Sequence, residues 1–160
     1  MAAPKAIDLN YSVDGPPGAP VLVLSHALGL SLAQWDPQVA PLSQAFRVVR
    51  YDHRGHGGSP VPPGPYTIEE LGRDTVNLLD RLGLDRVSFC GLSLGGMVGM
   101  WIASAAPERI DRLVLCCTAA RMPRPDDFAE RARTVRENGM EAIADLAIGR
   151  WFTRGFRVHH

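Results

Sequence analysis

The chain has 160 residues, 46% hydrophobic and 21% charged, which suits one folded domain with a sizeable core and excludes a disordered or low-complexity segment. Its 17 basic side chains balance 17 acidic ones, so no overall electrostatic attraction draws it to nucleic acid or to an anionic membrane surface. No apolar run is long enough to span a bilayer, and Met1 to Lys5 lead into a polar alternating segment without the apolar core of a signal peptide, so the cytoplasm is the expected location.

Ile7 to Val13 alternates apolar and polar residues and predicts a half-exposed strand before the turn-rich Asp14 to Gly18. Val21 to Leu24 is a continuous apolar run that suits a strand buried on both faces. It ends in Ser25-His26-Ala27-Leu28-Gly29, a loop at the edge where a parallel sheet places its ligands. Trp35 to Ala45 reads as a helix, Phe46 to Tyr51 as a strand, and Asp52 to Ser59 as the loop that leaves it. Proline and glycine between Pro60 and Pro65 break the chain. Thr67 and Glu70 then have capping-box spacing ahead of an amphipathic helix with Leu71, Val76, Leu78, Leu79 and Leu82, which stops at Gly83.

Arg86 to Cys90 is strand-like, the following residues to Ala106 are helical, Pro107 interrupts, and Ile110 to Cys116 forms another strand. The alternation of strand and helix predicts an α/β fold, a mostly parallel sheet with flanking helices. Cys90, Cys116 and Cys117 are odd in number and lack the spacing of a zinc site or redox pair, so they read as buried, reduced core residues. After Thr118 the composition changes. Pro125 to Arg136 and Met140 to Ile148, the latter ended by Gly149, predict two or more helices, and residues 121–160 read as the start of a helical lid beside a core at residues 1–120.

The stretch Cys90-Gly91-Leu92-Ser93-Leu94-Gly95-Gly96 places a serine between glycines where a strand gives way to a helix. Gly-x-Ser-x-Gly in that setting describes a sharp turn that lifts a serine hydroxyl clear of the sheet. A side chain at either flanking glycine would clash with the neighbouring backbone. The free N–H groups of the helix that begins there suit an oxyanion. Ser93 is therefore the candidate nucleophile.

The elbow, the His26 to Gly29 loop and Asp52-His53-Arg54-Gly55-His56-Gly57-Gly58-Ser59 together resemble the α/β-hydrolase superfamily. More narrowly the chain is similar to the 3-oxoadipate enol-lactonases of aromatic-compound catabolism, through Trp35-Asp36-Pro37-Gln38, Thr118-Ala119-Ala120-Arg121 and Arg150-Trp151-Phe152-Thr153 with Phe156. The resemblance runs from about Ile7 to Val158. It implies hydrolysis of a small carboxylated enol-lactone by a Ser-His-Asp triad without metal or cofactor, with a small-molecule substrate and no nucleic acid or membrane partner. It also implies an oxyanion hole made by the backbone N–H of Leu94 and one N–H of the earlier loop, Leu28 with Ala27 as the alternative. Trp35 and Trp151 are candidates for the acyl pocket, and Arg133 and Arg150, with Arg121, for the cation that meets the carboxylate.

In such enzymes the acid and the histidine follow the serine, on loops after later strands. His26, His53 and His56 precede Ser93 on loops that the resemblance marks as structural, and His159 and His160 have no strand before them. Asp111 lies at the wrong end of its strand, and Asp126, Asp127 and Asp145 read as solvated lid charges. The chain is thus expected to be an N-terminal portion that lacks the later strands, the triad acid and the histidine, with little turnover of its own. A general carboxylesterase or perhydrolase of the same fold, a non-catalytic binding module and an inactive fragment are the competing readings.

Overall fold

The computed structural model describes residues 7–121 and 125–159. The chain divides into two compact units, Met1–Ala120 and Arg121–His160. The first is built on five strands, β1 (Tyr11–Asp14), β2 (Val21–Ser25), β3 (Arg47–Tyr51), β4 (Val87–Leu92) and β5 (Ile110–Cys116), in the order β1-β3-β2-β4-β5. β1 runs antiparallel to β3, and every other pairing is parallel.

The apolar runs become the central strands because both of their faces are covered. Val23, Leu24, Val48, Val49, Val87 and Phe89 are all buried. Three α-helices connect them: α1 (Asp36–Leu42), α2 (Ile68–Arg81) and α3 (Leu94–Ala105). The predicted capping box opens α2, where the Thr67 hydroxyl accepts from Glu70 N–H and the Glu70 carboxylate accepts from Thr67 N–H. Leu71, Thr75, Leu78 and Leu79 form its buried stripe, and that spacing turns one face toward the core. α2 packs on α3, which lies against β2, β4 and β5. β5 is a sheet edge, and Val114 and Leu115, on opposite faces, are 52% and 43% exposed.

Four local expectations need correction. The first strand starts at Tyr11 rather than Ile7, because Asn10 is engaged by the loop after β3, bonding Ser59 Oγ through its N–H and Asp52 through its side chain. The helix expected over Trp35 to Ala45 is a 3-10 turn, Leu32–Trp35, followed by α1, with Pro37 in its first turn and Pro41 inside it. Gly149 lies inside a helix instead of ending it. Cys117 is exposed, and Cys90 and Cys116 are half-buried; Cys116 ends the edge strand β5 and Cys117 follows it, so neither has the second neighbouring strand that would bury it.

The second unit contains α4 (Pro125–Asn138), a 3-10 turn at Met140–Ile143, α5 (Ala144–Trp151) and α6 (Arg154–His159). Ile143 is its buried apolar anchor, and the Phe152 and Phe156 rings stack at 5.0 Å. No described helix is long and apolar enough to cross a membrane.

Candidate active site

The sheet order reverses between β2 and β4: the chain leaves β2 toward β3 on one side and leaves β4 toward β5 on the other. Such a switch point opens a crevice at the carboxyl ends of the two strands. The loop after β2 carries His26 to Gly29, and the turn after β4 carries Ser93. The candidate residues of both motifs therefore share one edge of the sheet.

Ser93 lies at φ 51 and ψ −109 between β4 and α3, a strained conformation for a residue with a side chain. Its surroundings hold it there. Ser93 N–H donates to Cys116 O at 2.9 Å, and Ser93 O accepts from Met97 N–H at 3.1 Å and from Thr118 Oγ1 at 2.7 Å. The flanking glycines are explained by contact. A Cβ on Gly91 would stand 2.3 Å from the Gly95 carbonyl, and one on Gly95 would stand 2.2 Å from Ser25 O. Among the described residues the Ser93 hydroxyl makes no hydrogen bond, and the Leu94 N–H at the start of α3 has no partner.

Gly95 abuts Ser25, so the start of α3 touches the base of the loop after β2. That loop makes a turn in which Leu30 N–H donates to Ala27 O at 3.2 Å, with Gly29 at φ 78. Only glycine adopts that conformation without a steric penalty. Ala27 N–H donates to Gln34 Oε1 at 3.0 Å and Gly29 N–H to His56 Nε2 at 3.1 Å. Leu28 N–H, between them, has no partner among the described residues.

The three histidines stand behind this turn. His26 donates from Nδ1 to Ala27 O at 2.8 Å and accepts at Nε2 from His53 N–H at 3.1 Å. Burial lowers its pKa, so it stays neutral although Asp52 lies 4.0 Å away. His53 is held well below the ordinary histidine range, first by burial and then by the neighbouring His26 and His56. Its Nε2 bonds Ser25 Oγ at 3.1 Å, while its Nδ1 is buried without a partner. Ser25 Oγ also meets Tyr51 OH at 2.8 Å, and burial raises the Tyr51 pKa to about 12. His56 donates from Nδ1 to Arg54 O at 3.0 Å. Among the described residues no cluster of His, Cys, Asp or Glu is arranged to hold a metal ion.

Asp52 organises the loop after β3. Its carboxylate accepts from Leu32 N–H at 2.6 Å, Gly58 N–H at 2.8 Å and Asn10 Nδ2 at 2.8 Å. Arg54, on the same loop, is buried against Asp74 at 2.6 and 2.8 Å and reaches Glu70 at 3.0 Å. These contacts tie the histidine loop to α2.

Residues 20–155 match the α/β hydrolase fold family. The chain belongs to that family. It is 42% identical over 150 residues to 3-oxoadipate enol-lactonase 2 of Acinetobacter baylyi, spanning 94% of this chain and 56% of that protein. It is 38% identical over 130 residues to a putative carbamate hydrolase, RutD, of Caulobacter segnis, across 79% of this chain and 48% of that one. Among solved structures, the enol-lactonase from Burkholderia xenovorans superposes with a TM-score of 0.91 at 48% identity, covering 94% of this chain and 59% of that one. The chain thus spans about half the length of the relatives it matches.

Ser93 and Leu94 follow β4 and Leu28 follows β2, at the carboxyl edge of two paired strands, and Trp35 lies at the end of the 3-10 turn that bears Gln34. Trp35 is half-buried, and its Nε1 is buried without a partner. In the second unit, Arg150 and Trp151 line a cavity of about 30 Å³ with Arg131, Ile143, Leu146 and Ala147; Arg133 is exposed and does not line it. Arg121 is exposed at the boundary between the units. Asp111 pairs with Arg86 at 3.3 Å, at the amino end of β5 and away from the crevice. Sequence reasoning missed Gln34 and Thr118. Gln34 stands beside the Trp35 motif and closes the connection from β2 to α1 on itself, a bond no periodicity marks, while Thr118 opens the segment after β5 and its bond joins that segment to the turn after β4.

Proposed function

We propose that this chain carries the nucleophile and oxyanion hole of a serine-dependent carboxylic ester hydrolase whose substrate is a small carboxylated enol-lactone. One observation carries the reading: Ser93 is held at positive φ, and among the described residues its hydroxyl, the Leu94 N–H beside it and the Leu28 N–H at the same sheet edge are all without a partner. In this reading Ser93 Oγ bonds to the lactone carbonyl carbon. The carbonyl oxygen takes the negative charge and receives the Leu94 and Leu28 amides; the carbonyl then re-forms as the ring C–O bond breaks, and the enol oxygen takes up a proton while staying on the acyl chain bound to Ser93. Water completes the cycle by attacking the acyl group, which frees Ser93.

Ser93 must lose its proton in the first step, and none of the three described histidines before it suits that role. His26 and His56 have both nitrogens engaged, and His53 is buried against Ser25. The base and its acid partner therefore come from outside these loops. The 160-residue chain turns over below the usual enzyme range of roughly 1 to 1000 per second. Residues 121–160 act as the start of a lid, Trp35 and Trp151 contribute to the acyl pocket, and Arg133 or Arg150 meets the carboxylate. The free cysteines suit a reducing compartment, the cytoplasm.

The identity with a putative carbamate hydrolase supports a second reading, in which a neutral ester or carbamate is the substrate. Comparing a carboxylated enol-lactone with a neutral ester of similar size separates the two. A charge-assisted hydrogen bond predicts a preference on the order of tenfold to a hundredfold for the carboxylated substrate, reduced by Arg133→Ala or Arg150→Ala. Equal rates for both substrates would move the assignment to the second reading, and hydrolysis that survives Ser93→Ala would remove both.

A further inference from the structure

We propose that Gln34 and His56 are positioning residues that select which amide of the Ala27 to Gly29 turn is open to an oxyanion. The turn presents three successive N–H groups. The outer two are engaged by side chains, Ala27 N–H by Gln34 Oε1 at 3.0 Å and Gly29 N–H by His56 Nε2 at 3.1 Å, and only Leu28 N–H is without a partner among the described residues. A turn with several free amides would attract water and anions in several poses. Engaging two of them leaves one donor with one direction, the preorganised arrangement an oxyanion hole needs.

Both acceptors are themselves fixed. His56 donates from Nδ1 to Arg54 O at 3.0 Å, which makes Nε2 the acceptor. Gln34 sits on the turn Leu32–Trp35, held at one end by the Leu32 N–H bond to Asp52 at 2.6 Å. At the other end Arg50 binds Asp36, and Arg50 also pairs with Asp14 at 3.1 Å. His26 adds a bond from Nδ1 to the Ala27 carbonyl at 2.8 Å. The loop after β2 is thus clamped from the segment ahead of α1 and from the loop after β3.

The inference rests on the oxyanion role proposed for Leu28, and the test separates the two. Amide hydrogen exchange in the full chain should show Leu28 exchanging fast and Ala27 and Gly29 slowly. Gln34→Met, which removes the acceptor at similar length, should speed Ala27 by about tenfold, while Gln34→Glu, which keeps an oxygen, should not. His56→Leu should do the same for Gly29. Equal exchange at all three amides in the unsubstituted chain, or no response of Ala27 to Gln34→Met, would overturn the selection.

The rate at which an activated ester acylates Ser93 gives the second readout. Gln34→Met should slow that acylation by about tenfold, and Gln34→Glu, which keeps the acceptor, should restore it. An equal loss in both variants would overturn the positioning role. Ester hydrolysis that does not depend on Ser93 would instead overturn the proposed function, and the exchange pattern would then decide the selection alone.

Discussion

Replacing Gly95 by alanine tests the contact that joins the elbow to the oxyanion loop. The new Cβ would lie 2.2 Å from Ser25 O and 2.6 Å from both Ser25 C and Ser25 Oγ, all well inside the 3.4 Å at which ordinary contact begins. Ser25 cannot retreat, because β2 is paired with β3 at Tyr51 and with β4 at Gly91, and its hydroxyl is tied to Tyr51 and His53. The start of α3 would have to lift instead, taking Ser93 and Leu94 away from the loop. Alanine adds about 1 kcal/mol of helix propensity. Overpacking against fixed backbone costs up to about 3 kcal/mol and occasionally more, which leaves a net loss of up to about 2 kcal/mol. Gly149→Ala is the matched control, since Gly149 lies inside α5 and its Cβ would meet nothing closer than Arg157 Nη1 at 3.7 Å. It should gain up to about 1 kcal/mol. Urea denaturation followed by circular dichroism measures both. A Gly95→Ala protein as stable as the unsubstituted chain would refute the close approach of α3 to Ser25.

Acidification should destabilise the fold through His26 and His53. His26 and His53 have pKa values lowered by burial, so below about pH 6.5 the unfolded chain takes up protons that the folded chain refuses. Stability then falls by up to about 1.4 kcal/mol per pH unit per histidine, and His53→Gln should flatten the profile; a denaturation midpoint that does not change between pH 7 and 5.5 would contradict the buried neutral cluster. Arg54→Leu should cost about 3 to 5 kcal/mol by leaving the buried Asp74 carboxylate uncompensated, and Arg54→Leu with Asp74→Leu should recover most of it; equal losses for the single and double variants would rule out that explanation. Val114 and Leu115 on the free edge of β5 should promote self-association, seen by sedimentation and reduced by Val114→Lys; a monomer at high concentration would contradict it.

The parts of the fold that were legible in the sequence are those fixed by local chemistry. The capping box at Thr67 and Glu70 opens α2 as expected, Ile110 to Cys116 is the last strand residue for residue, and the strand-to-helix turn falls at Ser93. Gly91 and Gly95 were informative because a backbone atom occupies the place of each missing side chain. The departures come from partners distant in the chain. Asn10 leaves the strand pattern to serve Asp52, 42 residues away, and Cys117 is exposed because β5 lies at an edge. The work of Gln34 and His56 depends on bonds across 7 and 27 residues, which no periodicity encodes. His26, His53 and His56, taken from the sequence as structural, stand behind the turn that bears Leu28.

Identification of the acylated residue tests the central claim most directly. The chain is incubated with an activated acetate ester and quenched, and the modified peptide is mapped by mass spectrometry beside the Ser93→Ala variant. With the nucleophile and oxyanion amides present and His26, His53 and His56 all engaged elsewhere, the expected result is a slowly formed acetyl group on Ser93 that persists and is absent from the variant. Acetylation only at another site, such as the exposed Cys117 thiol, with Ser93 unmodified, would contradict it.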